Sequence, residues 1–151
     1  MTEEKSYKDW SDSVEYLGYA FPVKKPWGEY IDYVRNDHVV FKKITINPGE
    51  EISYQLHHRR REFWYVTEGT GLFRWNNIDK WKVRPGFTIL IRENDAHQII
   101  NTGDSNIVIF EMQFGKCSED DIKRLEDKYD RPKPSSPSWG RSATWEDGDE
   151  Q

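Results

Sequence analysis

Four side chains that commonly bind metal ions fall in two short segments of this sequence. Gln55, His57 and Glu62 lie within GEEISYQLHHRRREFWYVTEG, and His97 lies within GFTILIRENDAHQIIN. Imidazole nitrogens, carboxylate oxygens and amide oxygens suit zinc and other borderline divalent ions. We therefore interpret these four residues as the ligands of one divalent metal ion.

The spacing of these residues requires strands to bring them together. Gln55 and His57 are two residues apart on a predicted strand, so their side chains point to the same face, which Ser53 shares. Glu62 opens the next strand, and a hairpin would return it to a position opposite that pair. His97 begins a further strand, which must lie beside the first two.

Short extended runs fill the sequence from residue 26 to residue 117. They read VVFKKITI, EISYQLHH, EFWYVTEG, GLFRWN, DKWKVRPG, FTILIRE, AHQIIN and NIVIFEMQF, and turn pairs such as Pro48-Gly49 and Asn76-Asn77 separate them. Strands at this regular spacing are typical of a sandwich or barrel. Since aromatic residues reach 15% while hydrophobic residues total only 35%, we expect an all-β core rich in Trp, Tyr and Phe.

Three segments flank or follow this predicted barrel. Residues 1–25 are polar and are expected to form an arm. Within 118–131, Ser118 can cap a helix and the apolar residues of SEDDIKRLEDKY fall on one face, which predicts one C-terminal amphipathic helix. Residues 132–151 are rich in Pro, Ser, Gly and acids, and we expect a flexible tail.

Charge and composition limit the classes of partner. The formal net charge of −5 and the pI near 5.4 argue against nucleic acid, because phosphate binding normally requires a basic surface. No apolar run approaches the roughly 20 residues of a membrane span. The polar amino terminus does not resemble a signal peptide, and Cys117 has no second cysteine with which to form a disulfide. We expect a cytoplasmic protein whose one thiol is buried.

The order and intervals of the candidate ligands resemble the two sequence motifs of the cupin family. The first motif is matched by Gly49, Gln55, His57, Glu62 and Gly69. The second is matched by Gly86, His97 and Asn101, with Arg92 and Asn94 in place of the usual Pro and Gly. This resemblance implies a cupin fold, which is a double-stranded β-helix or jelly-roll barrel. It also implies a homodimer, because cupins commonly pair through barrel strands and so cover exposed sheet edges.

The stretch from Trp27 to Arg131 further resembles the C-terminal cupin domain of type II phosphomannose isomerases. Its landmarks are PWGEY, KKITINPGEEISYQLHHRRREFWYVTEGTG, ENDAHQIIN and EDDIKRLEDKYDR. The resemblance implies the interconversion of mannose 6-phosphate and fructose 6-phosphate. Such a reaction passes through an enediol whose negative charge a divalent cation stabilises.

The same resemblance implies roles for particular residues. The four candidate ligands would hold zinc, with iron, manganese, nickel or cobalt as alternatives. Arg60 and Arg131 match arginines of the family and would bind the phosphorylated substrate, because guanidinium groups pair with phosphate. Ser53 and Arg59 are further candidates for substrate binding. The general base is not assigned.

Some positions depart from the family pattern. Arg59 and Phe63 stand where the family commonly has His, and Gln98 replaces a residue that is often basic. The sequence has no Gly-rich nucleotide-binding stretch, so synthesis of GDP-mannose is not expected of this chain. These departures leave the metal ligands in place but change polar residues around them.

Two other functions fit the same residues. One is a non-catalytic sugar-binding cupin that keeps the metal ligands, and the other is a metal-dependent oxygenase or lyase on the same barrel, since a fold does not fix an activity. Gln55 in place of a histidine argues against oxygen chemistry. The run Arg59-Arg60-Arg61 also fits a solvated cluster of charges rather than an anion-binding site.

Overall fold

The computed structural model describes residues 20–132, and these form an all-β protein as predicted. Its strands are β1 (Pro22–Lys25), β2 (Gly28–Arg35), β3 (Val39–Ile46), β4 (Tyr54–Leu56), β5 (Arg60–Glu68), β6 (Gly71–Trp75), β7 (Asp79–Val83), β8 (Thr88–Ile91), β9 (His97–Ile100), β10 (Ile107–Gly115) and β11 (Lys123–Glu126).

The strands form two sheets in which every neighbouring pair is antiparallel. The six-stranded sheet has the order β1-β2-β3-β10-β5-β8, and the five-stranded sheet has the order β11-β4-β9-β6-β7. Strand β10 lies between β3 and β5 and so joins segments that are far apart in the sequence. The chain alternates between the sheets, which encloses one interior between them.

The interior has an apolar half and a polar half. Both are lined by the inward-facing residues of the same strands, which change from apolar to polar along these strands. The apolar half contains the buried residues Ile44, Ile46, Val66, Phe73, Ile99, Ile107 and Ile109. The polar half contains the buried residues Lys42, His57, Arg60, Glu62, His97, Glu111 and Gln113. Along β3 the inward positions change from Lys42 to Ile44 and Ile46, and the register with β10 places Glu111 opposite Lys42.

Glycine closes the turn at the end of the first motif. Gly69 has φ +84, and a Cβ there would lie 2.3 Å from the carbonyl oxygen of Asn106. A larger residue would therefore clash with the backbone as well as adopt an unfavourable conformation. This glycine lets the chain leave β5 and enter β6 close to the start of β10.

The predicted helix over residues 118–131 is wrong. The chain makes a turn at Glu119 and Asp120 and then forms β11, whose residue Arg124 pairs with Gln55 of β4. The exposed edge of β4 offers backbone hydrogen bonds that compete with those of a helix. The Asp121 carboxylate does not cap a helix but accepts hydrogen bonds from the backbone of His58 and Arg59. Tertiary contacts thus override the local helical pattern.

The strands extend beyond the predicted barrel limits of residues 26 and 117. Residues 22–25, assigned to the arm, form β1 and pair with β2, while β11 lies in the region predicted as helix. The predicted arm over residues 1–19 and the predicted tail over residues 133–151 lie outside the described residues. Among residues 20–132, no helix has the length and apolar character needed to cross a bilayer.

The outer face of the six-stranded sheet exposes several large apolar side chains near its β8 edge. Phe63, Tyr65, Leu90 and Met112 are each exposed by 40% to 45%. The register places Phe63 between Met112 and Leu90, so these side chains adjoin across three strands. The homodimer expected from the sequence stays a prediction.

Candidate metal centre

Three of the predicted ligands meet in the polar half of the barrel. Glu62 points inward from β5, His57 directly follows β4, and His97 begins β9, which pairs with β4 in the opposite sheet. The predicted hairpin between the strands of His57 and Glu62 is wrong, because β4 and β5 belong to different sheets that face each other across the interior. The Nε2 atom of His57 lies 3.0 Å from one oxygen of Glu62, and the Nε2 atom of His97 lies 3.5 Å from the other. One donor atom from each of the three residues lies within 4.8 Å of the others. Each side chain is at most 2% exposed.

Backbone carbonyl groups fix the orientation of both imidazole rings. The Nδ1 atom of His57 lies 2.6 Å from the carbonyl oxygen of Asp121, and that of His97 lies 2.8 Å from the carbonyl oxygen of Asp95. A carbonyl only accepts hydrogen bonds, so the proton of each neutral ring resides on Nδ1. Both Nε2 atoms then present lone pairs to the carboxylate of Glu62, which is the arrangement that metal-binding histidines adopt.

The donor set fits a divalent cation. Two lone pairs and a carboxylate face one another in a buried space, and the Nε2 atom of His97 has no hydrogen-bond partner among the described residues. A buried polar atom without a partner is costly. A cation between His57, Glu62 and His97 would satisfy all three donors. The identity of the ion does not follow from these donors, which suit several borderline metals.

Arg60 sets the electrostatics of this cluster. Its guanidinium is 5% exposed and lies 2.9 Å from Glu62 and 3.3 Å from the Nε2 atom of His57. Burial raises the pKa of Glu62, but the charges of His57, when that ring is protonated, and of Arg60 outweigh burial and hold that pKa well below its usual range. When His57 is neutral, the permanent charge of Arg60 still favours the anionic form of Glu62. Burial and the charge of Arg60 lower the pKa of His57. An anionic carboxylate and a neutral imidazole are the protonation states that metal binding requires.

Gln55 and Ser53 lie beside the cluster on β4 and the segment before it. The hydroxyl of Ser53 donates to the Oε1 atom of Gln55 at 2.5 Å, and the Nε2 atom of Gln55 lies 3.3 Å from the Nε2 atom of His57. The register pairs Gln55 directly with His97. Rotation of the amide by about 180° would present Oε1 to the cluster, since amide orientation is assigned from the hydrogen-bond network. The assignment of Gln55 as the fourth ligand stays a prediction.

The predicted arginines have different surroundings. Arg60 contacts the cluster directly, whereas the backbone of Arg59 is held by Asp121. Arg131 forms two hydrogen bonds of 2.9 Å between its side chain and Asp127, and its guanidinium lies 5.5 Å from the centre of the Tyr129 ring. Its contacts within the described residues are thus with the segment after β11, not with the cluster. Substrate binding by Arg59, Arg60 and Arg131 stays a prediction.

Sequence reasoning missed a second set of buried polar residues next to the cluster. The indole of Trp64 donates to Glu62 at 3.1 Å and to Glu111 at 2.6 Å, and Gln113 donates to the other oxygen of Glu111. Burial and the charge of Glu62 raise the pKa of Glu111 to about 7. The signal was present in the strand pattern: Glu111 and Gln113 occupy the inward positions of IVIFEMQF, as Lys42 does in VVFKKITI.

Known proteins share both the sequence and the fold. Residues 15–127 match the family described as mannose-6-phosphate isomerase C-terminal. The chain is 36% identical over 118 residues to the alginate biosynthesis protein AlgA of Pseudomonas aeruginosa, covering 72% of this chain and 23% of that protein. It is 34% identical over 110 residues to the mannose-1-phosphate guanylyltransferase ManC of Salmonella typhimurium, with the same two coverages. The chain therefore spans about a quarter of the length of these relatives.

A solved structure supports the expected fold class. A Klebsiella pneumoniae protein with a double-stranded β-helix domain superposes with a TM-score of 0.58, covering 84% of this chain and 100% of that chain at 14% identity. At this identity the similarity concerns the fold alone. With the two antiparallel sheets and the family match, it confirms the cupin barrel that the motif spacing predicted.

Proposed function

This chain belongs to the mannose-6-phosphate isomerase C-terminal family, and we propose that its metal centre interconverts mannose 6-phosphate and fructose 6-phosphate. The observation that carries the proposal is the buried cluster of His57, Glu62 and His97 at the predicted motif positions. The relatives are named for alginate biosynthesis and for mannose-1-phosphate guanylyltransferase. A role in supplying precursors for polysaccharides follows for this chain as part of the proposal.

The reaction moves a proton between C1 and C2 of the open-chain sugar and a second proton between their oxygens. No atom is gained or lost, so no co-reactant is needed. His57, Glu62 and His97, with Gln55 as the expected fourth ligand, would hold a zinc ion or a related divalent ion. Such an ion, when bound, stabilises the negative charge that develops on the sugar oxygens.

The chain's own residues contribute position and charge. The carbonyl oxygens of Asp121 and Asp95 hold the two imidazoles in the ligating tautomer. Arg60 favours the anionic form of Glu62, and its guanidinium would be a second positive charge close to a sugar bound at the cluster. Ser53, next to Gln55, is proposed to hydrogen-bond the sugar, and Arg59 and Arg131 stay candidates for substrate binding. The low exposure of the cluster excludes bulk water, which strengthens these electrostatic interactions.

An assay of sugar-phosphate turnover tests this proposal. We expect the zinc-loaded protein to convert mannose 6-phosphate to fructose 6-phosphate and His97→Ala to lose that activity. The matched control is Glu126→Gln, which changes an exposed acid paired with Arg74 outside the cluster and should leave turnover unchanged. Glucose 6-phosphate and unphosphorylated mannose serve as competing substrates.

Two results would overturn the isomerase proposal in different ways. If the zinc-loaded protein binds mannose 6-phosphate without producing fructose 6-phosphate, the chain is a sugar-binding cupin. If the purified protein contains iron and consumes oxygen, the oxygenase alternative is correct. A homodimer and a cytoplasmic location remain expectations that gel filtration and cell fractionation can test.

A further inference from the structure

A half-exposed acidic side chain covers two cations at the polar end of the barrel. The carboxylate of Glu119 lies 2.5 Å from the guanidinium of Arg35 and 3.1 Å from the ammonium of Lys42. The side chain of Glu119 is 47% exposed, whereas those of Lys42 and Arg35 are 5% and 17% exposed. An anion that reaches in from the surface thus neutralises cations that the fold has buried.

Other residues hold the two cations toward that anion. The Nε atom of Arg35 donates to Asp32 at 2.9 Å, which leaves its terminal nitrogen directed at Glu119. Lys42 lies over the ring of Tyr30 at 4.3 Å, and its nearest other acid, Asp32, is 3.6 Å away, too far for a good hydrogen bond. Among the described residues, Glu119 is therefore the acid to which the ammonium of Lys42 donates a hydrogen bond.

The electrostatic environment of Glu119 is strongly positive. Partial desolvation of the Glu119 carboxylate raises its pKa, but Lys42, Arg60 and Arg35 outweigh this effect and hold that pKa well below its usual range. A phosphate dianion would interact with the same cations more strongly than one carboxylate does. Arginine is well suited to this exchange, because its planar donors pair with phosphate as they do with carboxylate.

The residues immediately before and after the turn that carries Glu119 both contact residues of the candidate metal centre. The carbonyl oxygen of Ser118 accepts a hydrogen bond from Arg60 at 2.9 Å, and that of Asp121 lies 2.6 Å from the Nδ1 atom of His57. Arg60 in turn contacts Glu62. One guanidinium therefore links the metal cluster to the residue that precedes Glu119. The residues on either side of the Glu119 turn are thus hydrogen-bonded to residues of the cluster, which supports assigning the phosphate of a sugar bound there to this turn.

We propose that Arg35 and Lys42 form the subsite for the phosphate group of the substrate, and that the Glu119 carboxylate occupies this subsite until the phosphate displaces it. The assignment rests on the proposed function for the identity of the substrate. It differs from the phosphate-binding roles expected for Arg60 and Arg131, because it places the phosphate at residues of β2 and β3. No covalent step is involved, only the exchange of one anion for another.

Binding of phosphate by charge variants tests the subsite directly. Isothermal titration of the zinc-loaded protein would use mannose 6-phosphate, inorganic phosphate and mannose as separate probes. We expect Glu119→Gln to bind both phosphate-containing probes about 10-fold more tightly, since the competing charge is gone, and Lys42→Met to bind them at least about 10-fold more weakly. Mannose should bind all variants alike. Glu126→Gln is the matched control, because its exposed carboxylate also pairs with an arginine.

Each outcome decides for or against the subsite. Arg35→Gln provides a second test if Lys42→Met does not fold, and it should also weaken phosphate binding while leaving mannose binding unchanged. If Glu119→Gln binds inorganic phosphate no more tightly than the unmodified protein, or if both cation variants bind it normally, the subsite is wrong. If the variants shift phosphate binding as expected but the protein turns over no sugar phosphate, the subsite stands and the isomerase proposal fails.

Discussion

The two halves of the barrel interior are built from the same strands but differ in role: one is the hydrophobic core, and the other holds the candidate metal centre. In the apolar half, Ile109 lies opposite Ile44 on one neighbouring strand and opposite Val66 on the other. These side chains have no polar atoms that would need hydrogen-bond partners. In the polar half, Lys42 and Glu111 occupy the equivalent inward positions one row further along. Buried charges are costly unless paired, whereas buried aliphatic side chains stabilise the fold. The apolar half thus supplies the stability that lets the other half hold a reactive cluster.

Truncation in the apolar half should have the largest effect on stability. Ile109→Ala removes buried methyl groups at a position with no exposure and should lower the free energy of unfolding by about 2–5 kcal/mol. Urea denaturation measures this change. Zinc stoichiometry should be unaffected, because the metal cluster lies in the other half. Ile78→Ala, at a site that is 68% exposed, should stay within about 0.5 kcal/mol of the unmodified protein, and an equal loss at both sites would contradict the comparison.

The polar half should make stability depend on pH through Glu111. Its pKa is about 7 in the folded protein against 4.5 ordinarily, so the folded state holds this proton more tightly than the unfolded state. The contribution is fully present below pH 4.5 and is lost as pH rises through about 7, a fall of roughly 3 kcal/mol. Urea denaturation of metal-free protein across this range measures the fall.

Substitution of Glu111 isolates its share of that pH dependence. Glu111→Gln cannot titrate and should flatten the fall in stability between pH 4.5 and 7, whereas Glu126→Gln at an exposed site should keep it. If Glu111→Gln retains the full pH dependence, the carboxyl group of Glu111 is not the buried acid that titrates.

Substitution of Gln55 tests whether the candidate metal centre extends beyond His57, Glu62 and His97. Gln55→Ala should weaken zinc binding by about 10- to 100-fold, the range typical for residues that support a metal site. Gln55→Glu should restore binding, because it returns an oxygen donor. Competition with a chromogenic zinc chelator measures both affinities. Unchanged affinity in Gln55→Ala would remove Gln55 from the ligand set.

A further prediction concerns the thiol beside the Glu119 turn. Burial raises the pKa of Cys117 to about 11 from an ordinary 9.0, which reduces the reactive thiolate at pH 8 by about 100-fold. Maleimide should therefore label the native protein far more slowly than the protein unfolded in urea. Equal labelling rates would mean that the chain between β10 and β11 opens readily and does not cover the polar half.

Local pattern in the sequence was enough to predict most strands between β3 and β10 and the meeting of three candidate ligands, but not β1, β2 or β11. His57, Glu62 and His97 could be predicted because motif spacing and strand alternation bring them to one interior. The conformation of the segment after Ser118 could not be predicted from its helical periodicity. This segment pairs with the edge of β4, and that edge exists only in the folded barrel. Contacts between distant residues, such as Glu119 with Arg35, leave no periodic trace and required the structure.

The central claim is that His57, Glu62 and His97 bind one divalent metal ion. Isothermal titration of zinc into the metal-free protein, followed by metal analysis of the dialysed complex, tests it most directly. We expect one ion per chain for the unmodified protein and for Ile109→Ala, and none retained by His97→Ala. The claim is contradicted if the unmodified protein retains no metal, or if His97→Ala retains one ion per chain with unchanged affinity.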